Sequence, residues 1–477
     1  MNEHILNRHA CLAAYPAYDQ EAVSRGLKDA LSKLNRKIVV LDDDPTGVQT
    51  MHGVYVYTDW SEESILAGFE SSESIFFILT NSRSFDKRQT TRVHETITRR
   101  VVKVARETGK RFLIISRGDS TLRGHYPHEM HVIREVLERE TGYKLDGEII
   151  LPFFLEGGRY TINNVHYVAT GDDLVPVGQT EFAKDKTFGY KSSNLYEWIE
   201  EKHGCVNKSG DVSSISLAEL RSLNYVSIEQ KLMSVSGYQK VIVNAIDYAD
   251  VEVFVTALVS VLNKGKEFLF RSAAALARVI GGVGGREVLT REELTDKENK
   301  NGGLILIGSH VKRTTQQLEQ LKRANFIIFV EFNQHLAVDV HKLDEEQQRV
   351  ISVVEQEIKA GRSVAVYTRR DRFDLNTSDK EEELRLSVRI SDAVAGIAGK
   401  LTVRPNFIIA KGGITSSDVG VKGLKVKRAL VLGQILKGVP VWLTGPESKF
   451  PNMPFVIFPG NVGDDTALYD AVLKLQP

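Results

Sequence analysis

The sequence predicts an α/β protein of two domains, each with a mostly parallel sheet flanked by helices, and with a cleft between them. The chain has 477 residues, and a single hydrophobic core normally stops growing well below that length. Short β-branched runs alternate with longer stretches of helical period, which is typical of parallel sheets with helical crossovers. Residues 281–302 change from glycine-rich to charged, with few core-forming side chains. We therefore expect a linker there.

The first domain is predicted over residues 36–280, after an N-terminal helical arm over residues 1–35. In the arm, the apolar residues of "EAVSRGLKDALSKL" recur at helical spacing. Two longer stretches of the domain, "KRQTTRVHETITRRVVKVARETG" and "DVEVFVTALVSVLNKG", have the period and length of helices. The predicted strands are "KIVVL", "GVYVYT", "SIFFILT", "RFLIIS", "GEIILP", "KVIVNA" and "EFLF".

A second alternating series predicts a second domain over residues 303–477. Glycine follows directly on several of its predicted strands, which indicates tight loops at the strand ends. The strands are "GLILIG", "NFIIFV", "SVAVYT", "NFIIAKGG", "ALVLG", "VPVWLTG" and "PFVIFPG".

Charge and cysteine content narrow the functional classes. Lys+Arg and Asp+Glu both total 62, so no bulk field would attract nucleic acid or an anionic membrane. Cys11 and Cys205 are too few for a disulfide framework or a thiolate zinc site. The sequence shows no secretory signal and no uncharged apolar run long enough for a bilayer. We expect a soluble, cytoplasmic protein without nucleic-acid or membrane partners, and the sequence leaves open a homo-oligomer.

Polar loops follow four predicted strands of the first domain, where ligands of open parallel sheets bind. These loops are "DDDPTG" (42–47), "TNSRS" (80–84), "SRGDSTLRG" (116–124) and "PFFLEGGRYT" (152–161). Three arginines could each present a planar fork to an anion, and three aspartates could accept hydrogen bonds from hydroxyl groups. They are Arg83, Arg123 and Arg159, and Asp43, Asp44 and Asp119. Together they predict a site for a small polyhydroxylated anion, whereas any one loop alone is explained equally well by surface charges that pair with one another.

The second domain has loops suited to phosphate. "AKGGITSSD" (410–418) follows a strand and places two glycines, then hydroxyl residues, at a predicted helix start. Backbone N–H groups there can approach a phosphate, and the helix dipole favours it. "IGSHVKRT" (307–314) and "FPGNVGDDT" (458–466) repeat the arrangement. The three loops together predict a nucleotide site, although each Gly-rich turn alone is more often only a turn.

Familiar catalytic motifs are missing from the sequence. It contains no G-x-x-x-x-G-K-[ST], no protein-kinase H-R-D and D-F-G pair, and no H-E-x-x-H. "HYPHEMH" (125–131) is the nearest approach to a histidine cluster, and an exposed helix face explains it better than a metal site. We predict no metal site built from protein side chains.

Five motifs, in order along both domains, resemble those of the four-carbon acid sugar kinases, a family long known as a domain of unknown function. They are Asp43-Asp44-Pro45-Thr46-Gly47, Thr80-Asn81-Ser82-Arg83, Asp119-Ser120-Thr121-Leu122-Arg123-Gly124, Arg159, and Gly412-Gly413-Ile414-Thr415-Ser416. The resemblance spares only the N-terminal arm and the linker. It implies an N-terminal domain that binds threonate, erythronate or a 3-oxo-tetronate, a C-terminal domain that binds ATP, and phosphorylation of the terminal 4-hydroxyl.

The resemblance, together with the chemistry of phosphoryl transfer, implies roles for individual residues. The substrate-binding residues would be Asp43, Asp44, Arg83, Asp119, Ser120, Thr121, Arg123 and Arg159. The nucleotide-binding residues would be Ser309, Thr368, Gly412, Gly413, Thr415, Ser416, Gly460 and Asn461. Asp44 would accept the attacking hydroxyl's proton, with Asp43 and Asp119 as alternatives, and Mg²⁺ would arrive with the nucleotide. Closure of the cleft would bring the acidic loop and the Gly412 turn face to face and exclude water.

Two departures from the family pattern leave the preferred acid open. Asn164 stands where relatives often have glycine, and "FRSAAALARV" (270–279) replaces a more glycine-rich stretch.

Two other functions fit parts of the sequence. "DDDPT" satisfies the D-x-D-x-T pattern of haloacid-dehalogenase-like sugar phosphate phosphatases, with Asp42 as nucleophile and Asp44 as acid and base. That interpretation leaves the 116–124 loop and the second domain without a role. Such a phosphatase also requires a further pair of acidic residues, which could come only from Asp464 and Asp465. The other alternative is a sensor that binds a sugar acid and a nucleotide without chemistry.

Overall fold

The computed structural model describes residues 4–204, 211–296, 298–371, 373 and 380–476. They form two compact units of α/β architecture. The first contains the chain up to Gly47 together with Trp60–Gly285, and the second contains Val48–Asp59 together with the chain from Arg286 onward. The predicted fold class, two α/β domains with mostly parallel sheets flanked by helices, is confirmed.

The strands of the described residues are short, and most coincide with the predicted runs. They are β1 (Leu6–Asn7), β2 (Lys37–Asp42), β3 (Val54–Tyr57), β4 (Ile75–Leu79), β5 (Phe112–Arg117), β6 (Gly147–Leu151), β7 (Arg159–Ile162), β8 (Val165–Thr170), β9 (Asp173–Pro176), β10 (Val212–Ile215), β11 (Gln239–Val243), β12 (Phe268–Ser272), β13 (Leu304–Ile307), β14 (Ile327–Phe332), β15 (Ser363–Thr368), β16 (Ile408–Lys411), β17 (Arg428–Leu436), β18 (Val439–Thr444) and β19 (Pro454–Phe458).

The helices include the three predicted from periodicity, which are α2, α4 and α9 in the following set. The set is α1 (Arg8–Ala13), α2 (Gln20–Ser32), α3 (Glu62–Glu70), α4 (Lys87–Thr108), α5 (His128–Thr141), α6 (Leu195–His203), α7 (Leu217–Arg221), α8 (Tyr225–Ser234), α9 (Tyr248–Asn263), α10 (Ala274–Ile280), α11 (Arg291–Leu294), α12 (Lys312–Leu321), α13 (Val340–Lys359), α14 (Lys380–Lys400), α15 (Gly413–Asp418) and α16 (Ala467–Leu475). Among the described residues, none of these helices is long and apolar enough to cross a bilayer.

The first unit is built on a parallel sheet with the strand order β10-β11-β6-β12-β5-β2-β4. Every residue of β2 is buried, as expected of a strand covered on both faces. β2 pairs in parallel with β5 on one side and β4 on the other, so that Asp42 lies opposite Arg117 and Leu79. The loops that follow these three strands therefore meet at one edge of the sheet.

The first unit also contains a small antiparallel sheet that was not predicted from the sequence, with the order β1-β9-β8-β7. Asn163 and Asn164 form the tight turn between β7 and β8, and both have positive φ (50° and 67°). Such two-residue turns favour asparagine and glycine, because both tolerate the left-handed region. The Asn244 side chain accepts a hydrogen bond from the Asn164 N–H (2.7 Å) and donates one to its side-chain oxygen (2.8 Å). Asn164 therefore stabilises the turn between β7 and β8.

The second unit contains a mixed sheet with the order β3-β17-β18-β19-β16-β13-β15-β14. The five strands from β19 to β14 are mutually parallel, and β3, β17, β18 and β19 are joined by antiparallel pairs. Although β3 falls within the predicted first domain, it pairs with β17 of the second unit. Leu289 and Leu294, from the predicted linker, are buried in the core of this unit. Both features depend on contacts between residues distant in sequence.

Candidate functional site

Arg83 joins two carboxylates of the acidic loop that follows β2. It lies in a short 3₁₀ turn after β4. Its Nη2 and Nε donate to the two oxygens of Asp43 (2.6 and 3.2 Å), and its Nη1 donates to Asp44 (3.3 Å). The other carboxylate oxygen of Asp44 accepts from the Thr46 N–H (2.8 Å). The structure thus brings the predicted Asp43, Asp44 and Arg83 together, but they are bound to one another.

A second charged group occupies the loop after β5. The Arg123 Nε donates to Asp119 (2.7 Å), the Thr121 hydroxyl also donates to Asp119, and the Arg123 Nη1 lies 3.7 Å from the Asp185 carboxylate. Burial alone would raise the pKa of Asp119. The positive charges of Arg83 and Arg123, with the hydrogen bonds, instead hold that pKa well below its ordinary value. Asp119 is therefore fully ionised at neutral pH and a weak base.

Buried contacts hold the backbone between Asp119 and Arg123 in place. The Ser120 carbonyl lies 2.8 Å from the His166 Nε2, and the Tyr190 hydroxyl donates to the Thr121 carbonyl (2.5 Å). Burial lowers the pKa of His166 to about 4, so its ring is neutral near pH 7. Ser120 and Thr121 are themselves buried, and they support the loop from inside the protein.

Asp42, the last residue of β2, lies in the interior. Its side chain is 2% exposed, and a Cβ added to Gly47 would come within 2.2 Å of three of its carboxyl atoms. Arg117 is 3.6 Å away, yet burial dominates and raises the pKa of Asp42 to about 8. A buried, protonated carboxyl group is a poor nucleophile. The structure therefore gives no support to a phosphatase that attacks through Asp42.

The phosphatase alternative also requires Asp464 and Asp465, and both of these aspartates already have other partners. Asp464 accepts hydrogen bonds from the N–H and hydroxyl of Thr466 (both 3.1 Å), and Asp465 forms an ion pair with Arg313 (2.5 Å). Both aspartates belong to the second unit.

Arg159 differs from the other arginines of this region. It begins β7, its Nη1 donates to the Gly157 carbonyl, and its guanidinium lies 5.5 Å from the centre of the Phe182 ring. Its Nε is buried without a hydrogen-bond partner. No carboxylate of a described residue lies within ion-pair distance of it. Burial lowers its pKa, but the intrinsic pKa of arginine is so high that the group stays charged.

Several residues that shape this region were not predicted from the sequence. Arg117 ends β5 within 3.7 Å of Asp43, and Arg271 of β12 lies 3.3 Å from Glu129. Asp185 and Phe182 flank Arg123. An arginine inside the otherwise apolar run "FLFRS" was the one available signal, because a charge within a buried strand needs a partner.

The second unit contains a cavity of about 380 Å³ at the ends of β13, β15 and β16. Five predicted nucleotide-binding residues line it: Ser309, Thr368, Gly412, Gly413 and Thr415. Its other lining residues are Gly308, His310, Gln334, Phe373, Ser387, Ile390, Ser391, Val394 and Ile414. The lining of the cavity therefore combines glycine backbone and hydroxyl groups with apolar side chains.

Three predicted nucleotide-binding residues are not in the lining. The Ser416 hydroxyl is buried and donates to the Ala410 carbonyl (2.7 Å). The Gly460 carbonyl accepts from the Thr314 hydroxyl (3.0 Å), and a Cβ on Gly460 would lie 3.1 Å from the Ser309 Oγ. Gly460 thus adjoins the Ser309 loop from outside the cavity, and Asn461 follows it.

The Gly412 turn requires glycine. Its φ is +118°, and an added Cβ would lie 2.8 Å from the Ser309 Cβ. Its N–H donates to the Phe458 carbonyl (2.8 Å), so the N–H groups available to a ligand are those of the first turn of α15, which lack intrahelical partners. The close approach of the Gly412 and Ser309 loops forms a backbone cradle of the kind that binds phosphate.

Lys411, immediately before this turn, is fully buried. Its Nζ donates to the Pro459 carbonyl (2.6 Å). Burial lowers the pKa of Lys411 to about 6, so the amine is largely neutral and joins β16 to the loop after β19. Within the described residues, no group of three or more His, Cys, Asp or Glu side chains could hold a metal ion.

Two family profiles match most of the chain. Residues 38–280 match a "Sugar-binding N-terminal domain". Residues 304–468 match a "Nucleotide-binding C-terminal domain". The charged region lies in the first match and the glycine-lined cavity in the second. None of the curated proteins compared with the chain matches it.

Solved structures of low sequence identity share the fold. The Haemophilus influenzae protein HI1011, a DUF1537 protein, is 19% identical with a TM-score of 0.60, over 92% of this chain and 100% of that one. A structure described as a putative tRNA synthase from Salmonella typhimurium LT2 is 15% identical with a TM-score of 0.63, over 92% of this chain and 98% of that one. With both domain profiles matched in order, the chain belongs to the four-carbon acid sugar kinase family.

Proposed function

We propose that the protein is an ATP-dependent kinase that phosphorylates the terminal 4-hydroxyl of a four-carbon acid sugar such as threonate, erythronate or a 3-oxo-tetronate. The observation that carries the proposal is that Arg159 has no ion pair with a described residue, in a region where the neighbouring arginines already contact carboxylates. A small monoanion would provide the missing partner. The match to a sugar-binding domain supports the same class of ligand.

From the sequence, Arg83 and Arg123 were the first candidates to hold the substrate carboxylate, with Arg159 as a possible third, and the contacts instead favour Arg159. Arg83 donates to two aspartates, and Arg123 contacts Asp119 and Asp185. A substrate carboxylate at either would compete with an existing ion pair. At Arg159 it would gain a charge-assisted hydrogen bond without breaking one. Arg83 and Arg123 would then orient the aspartates that receive the sugar hydroxyls.

Asp44 is the better candidate for the base. Its side chain is 15% exposed, and it retains acceptor capacity beyond Arg83 and the Thr46 N–H. Asp119 is held by two donors, and its strongly lowered pKa makes it a weak proton acceptor. We assign Asp44 to accept the proton of the attacking hydroxyl and Asp119 to orient the substrate.

The nucleotide would bind in the cavity of the second unit, with its phosphates at the Gly412 and Ser309 loops. Mg²⁺ would keep several waters and bind largely through the nucleotide phosphates. Mg²⁺ bound to ATP would offset the charge of the phosphate oxygens. The contribution of the chain itself is to hold both substrates in line and to exclude water.

The test is an ATP-consumption screen over threonate, erythronate and 3-oxo-tetronate epimers, with detection of the phosphorylated product. We expect ADP and a sugar-acid 4-phosphate in equal amounts with one acid clearly preferred. ATP and acid binding without turnover would instead indicate a sensor. Release of phosphate from sugar phosphates without ATP would contradict the kinase and revive the phosphatase.

A further inference from the structure

Arg271 lies directly beneath the loop that carries Asp119 and Arg123. It belongs to β12 and is 5% exposed. Its Nη1 lies 3.3 Å from the Glu129 carboxylate of α5, and its Nη2 donates to the Arg123 carbonyl (3.1 Å). One guanidinium thus joins a strand, a helix and the loop. It has no direct role in the proposed reaction.

Two glycines of the loop leave the space that this guanidinium occupies. A Cβ added to Gly118 would lie 1.4 Å from the Arg271 Nη1, and one added to Gly124 would lie 3.4 Å from Nη2. Gly124 also has φ of +122°, whereas the φ of Gly118 lies outside the left-handed region. Glycine at 118 is therefore required by the Arg271 side chain and not by the backbone conformation.

We infer that Arg271 is a positioning residue. It holds the loop after β5 in place and thereby fixes the positions of Arg123 and Asp119 in the acid site. The inference rests on the proposed function. A buried guanidinium fork can pair with Glu129 and donate to a carbonyl at the same time, which a lysine cannot do in the same geometry. The loop would move if this support were removed, and small displacements of substrate-positioning groups have large effects on turnover.

The competing explanation is that Arg271 only stabilises the fold. The chain offers a matched control in Arg36, which is also buried, forms an ion pair with Glu267 (2.5 Å) and donates to the Leu262 carbonyl (3.2 Å). Arg36 precedes β2 and contacts none of the site residues described above. Loss of Arg271 leaves the Glu129 carboxylate without its ion pair, whereas Glu267 keeps an ion pair with Arg111 (3.1 Å) after loss of Arg36. Either substitution removes a buried ion pair and lowers stability.

The first experiment compares Arg271→Met with Arg36→Met in the full-length enzyme, with KM measured separately for acid and ATP. We expect both variants to lower Tm, and only Arg271→Met to raise the KM for the acid, by about 10- to 100-fold, with the KM for ATP unchanged. Equal acid KM values for the two variants would overturn the inference. If wild-type protein phosphorylates no acid, the proposed function fails first and the inference with it.

Gly118→Ala is a second route that keeps every charge. Its methyl group would displace the Arg271 guanidinium, so we expect the same rise in acid KM. In an Arg271→Met background, where this clash is relieved, Gly118→Ala should add little. Additive effects would show that the alanine acts through the backbone and would contradict the inference. If Arg271→Met fails to fold, the double variant Glu129→Gln/Arg271→Met takes its place, because it removes the unpaired Glu129 carboxylate. We expect the KM of the double variant for the acid to be raised as well.

Discussion

The two candidate ligand regions are built on opposite physical principles. In the first unit, five arginines and six acidic side chains lie close together, and most are already paired within the protein. In the second unit, glycine backbone, hydroxyls and apolar side chains line the cavity. Charged side chains can bind a small acid through charge-assisted hydrogen bonds, whereas a triphosphate can be bound largely by backbone N–H groups. Substitutions should therefore act electrostatically in one region and through backbone geometry in the other.

The largest effect is expected for Asp44, the proposed general base. Asp44→Asn keeps the shape of the side chain and removes its ability to accept a proton. We expect kcat to fall roughly 10²- to 10⁴-fold, with the acid KM changed much less. Asp119→Asn is the comparison, and it should raise the acid KM more than it lowers kcat. The reverse pattern in steady-state kinetics would move the base to Asp119.

The next effect tests Arg159, the arginine without an ion pair. Arg159→Met should lower kcat/KM for the acid by roughly 30- to 5,000-fold, the equivalent of about 2–5 kcal/mol for a lost buried charge pair. Binding of ATP, measured by calorimetry, should be unchanged, because the residues proposed to bind ATP all belong to the second unit and Arg159 belongs to the first. Arg159→Lys should lose less, since it keeps the charge but not the fork. An Arg159→Met enzyme with wild-type use of the acid would rule out this residue as the carboxylate ligand.

A smaller effect is expected where backbone geometry is tested. Gly412→Ala forces a side chain into positive φ and against Ser309, which costs about 1–3 kcal/mol of strain. The KM for ATP should rise by roughly 5- to 150-fold, with the acid KM unchanged. Gly438→Ala is the control, because Gly438 also has positive φ (80°) in the second unit but does not line the cavity. Gly438→Ala should lower Tm and leave the KM for ATP unchanged. An equal rise in the KM for ATP would contradict a phosphate-binding role for the Gly412 turn.

The smallest effect on turnover is expected for Asp42→Asn. Because the pKa of Asp42 is raised to about 8 in the folded protein, the carboxyl group is mostly neutral at pH 7, and asparagine replaces it closely. The folded state holds this proton more tightly than the unfolded state, so wild-type stability should decline as pH rises from about 4 to 8. The variant should lack that part of the decline, as measured by Tm against pH. Complete loss of activity would instead favour Asp42 as a nucleophile.

The two regions also differ in how much of each could be predicted from the sequence. In the second unit, strand ends and glycines specify the cradle locally, and five of the predicted residues line the cavity. In the first unit, the structure brings the predicted Asp43, Asp44 and Arg83 together. Pairing among the loop charges was the alternative to a ligand site in the sequence, and which side chains pair could not be predicted from it. Arg271 was overlooked because β12 lies between β5 and β6 in the sheet, and nothing near residue 271 in the sequence indicates that neighbour.

Periodicity and turn chemistry act over a few residues, so the two α/β units, the positions of most strands and the order of the motifs could be predicted without coordinates. Only the fold shows which carboxylate faces which arginine, that Asp42 is buried, and that β3 joins the second unit. Those outcomes depend on strand order, which brings together residues far apart in the chain. Electrostatic energies depend on these final distances and on burial, so the lack of an ion pair at Arg159 could be seen only in the folded chain.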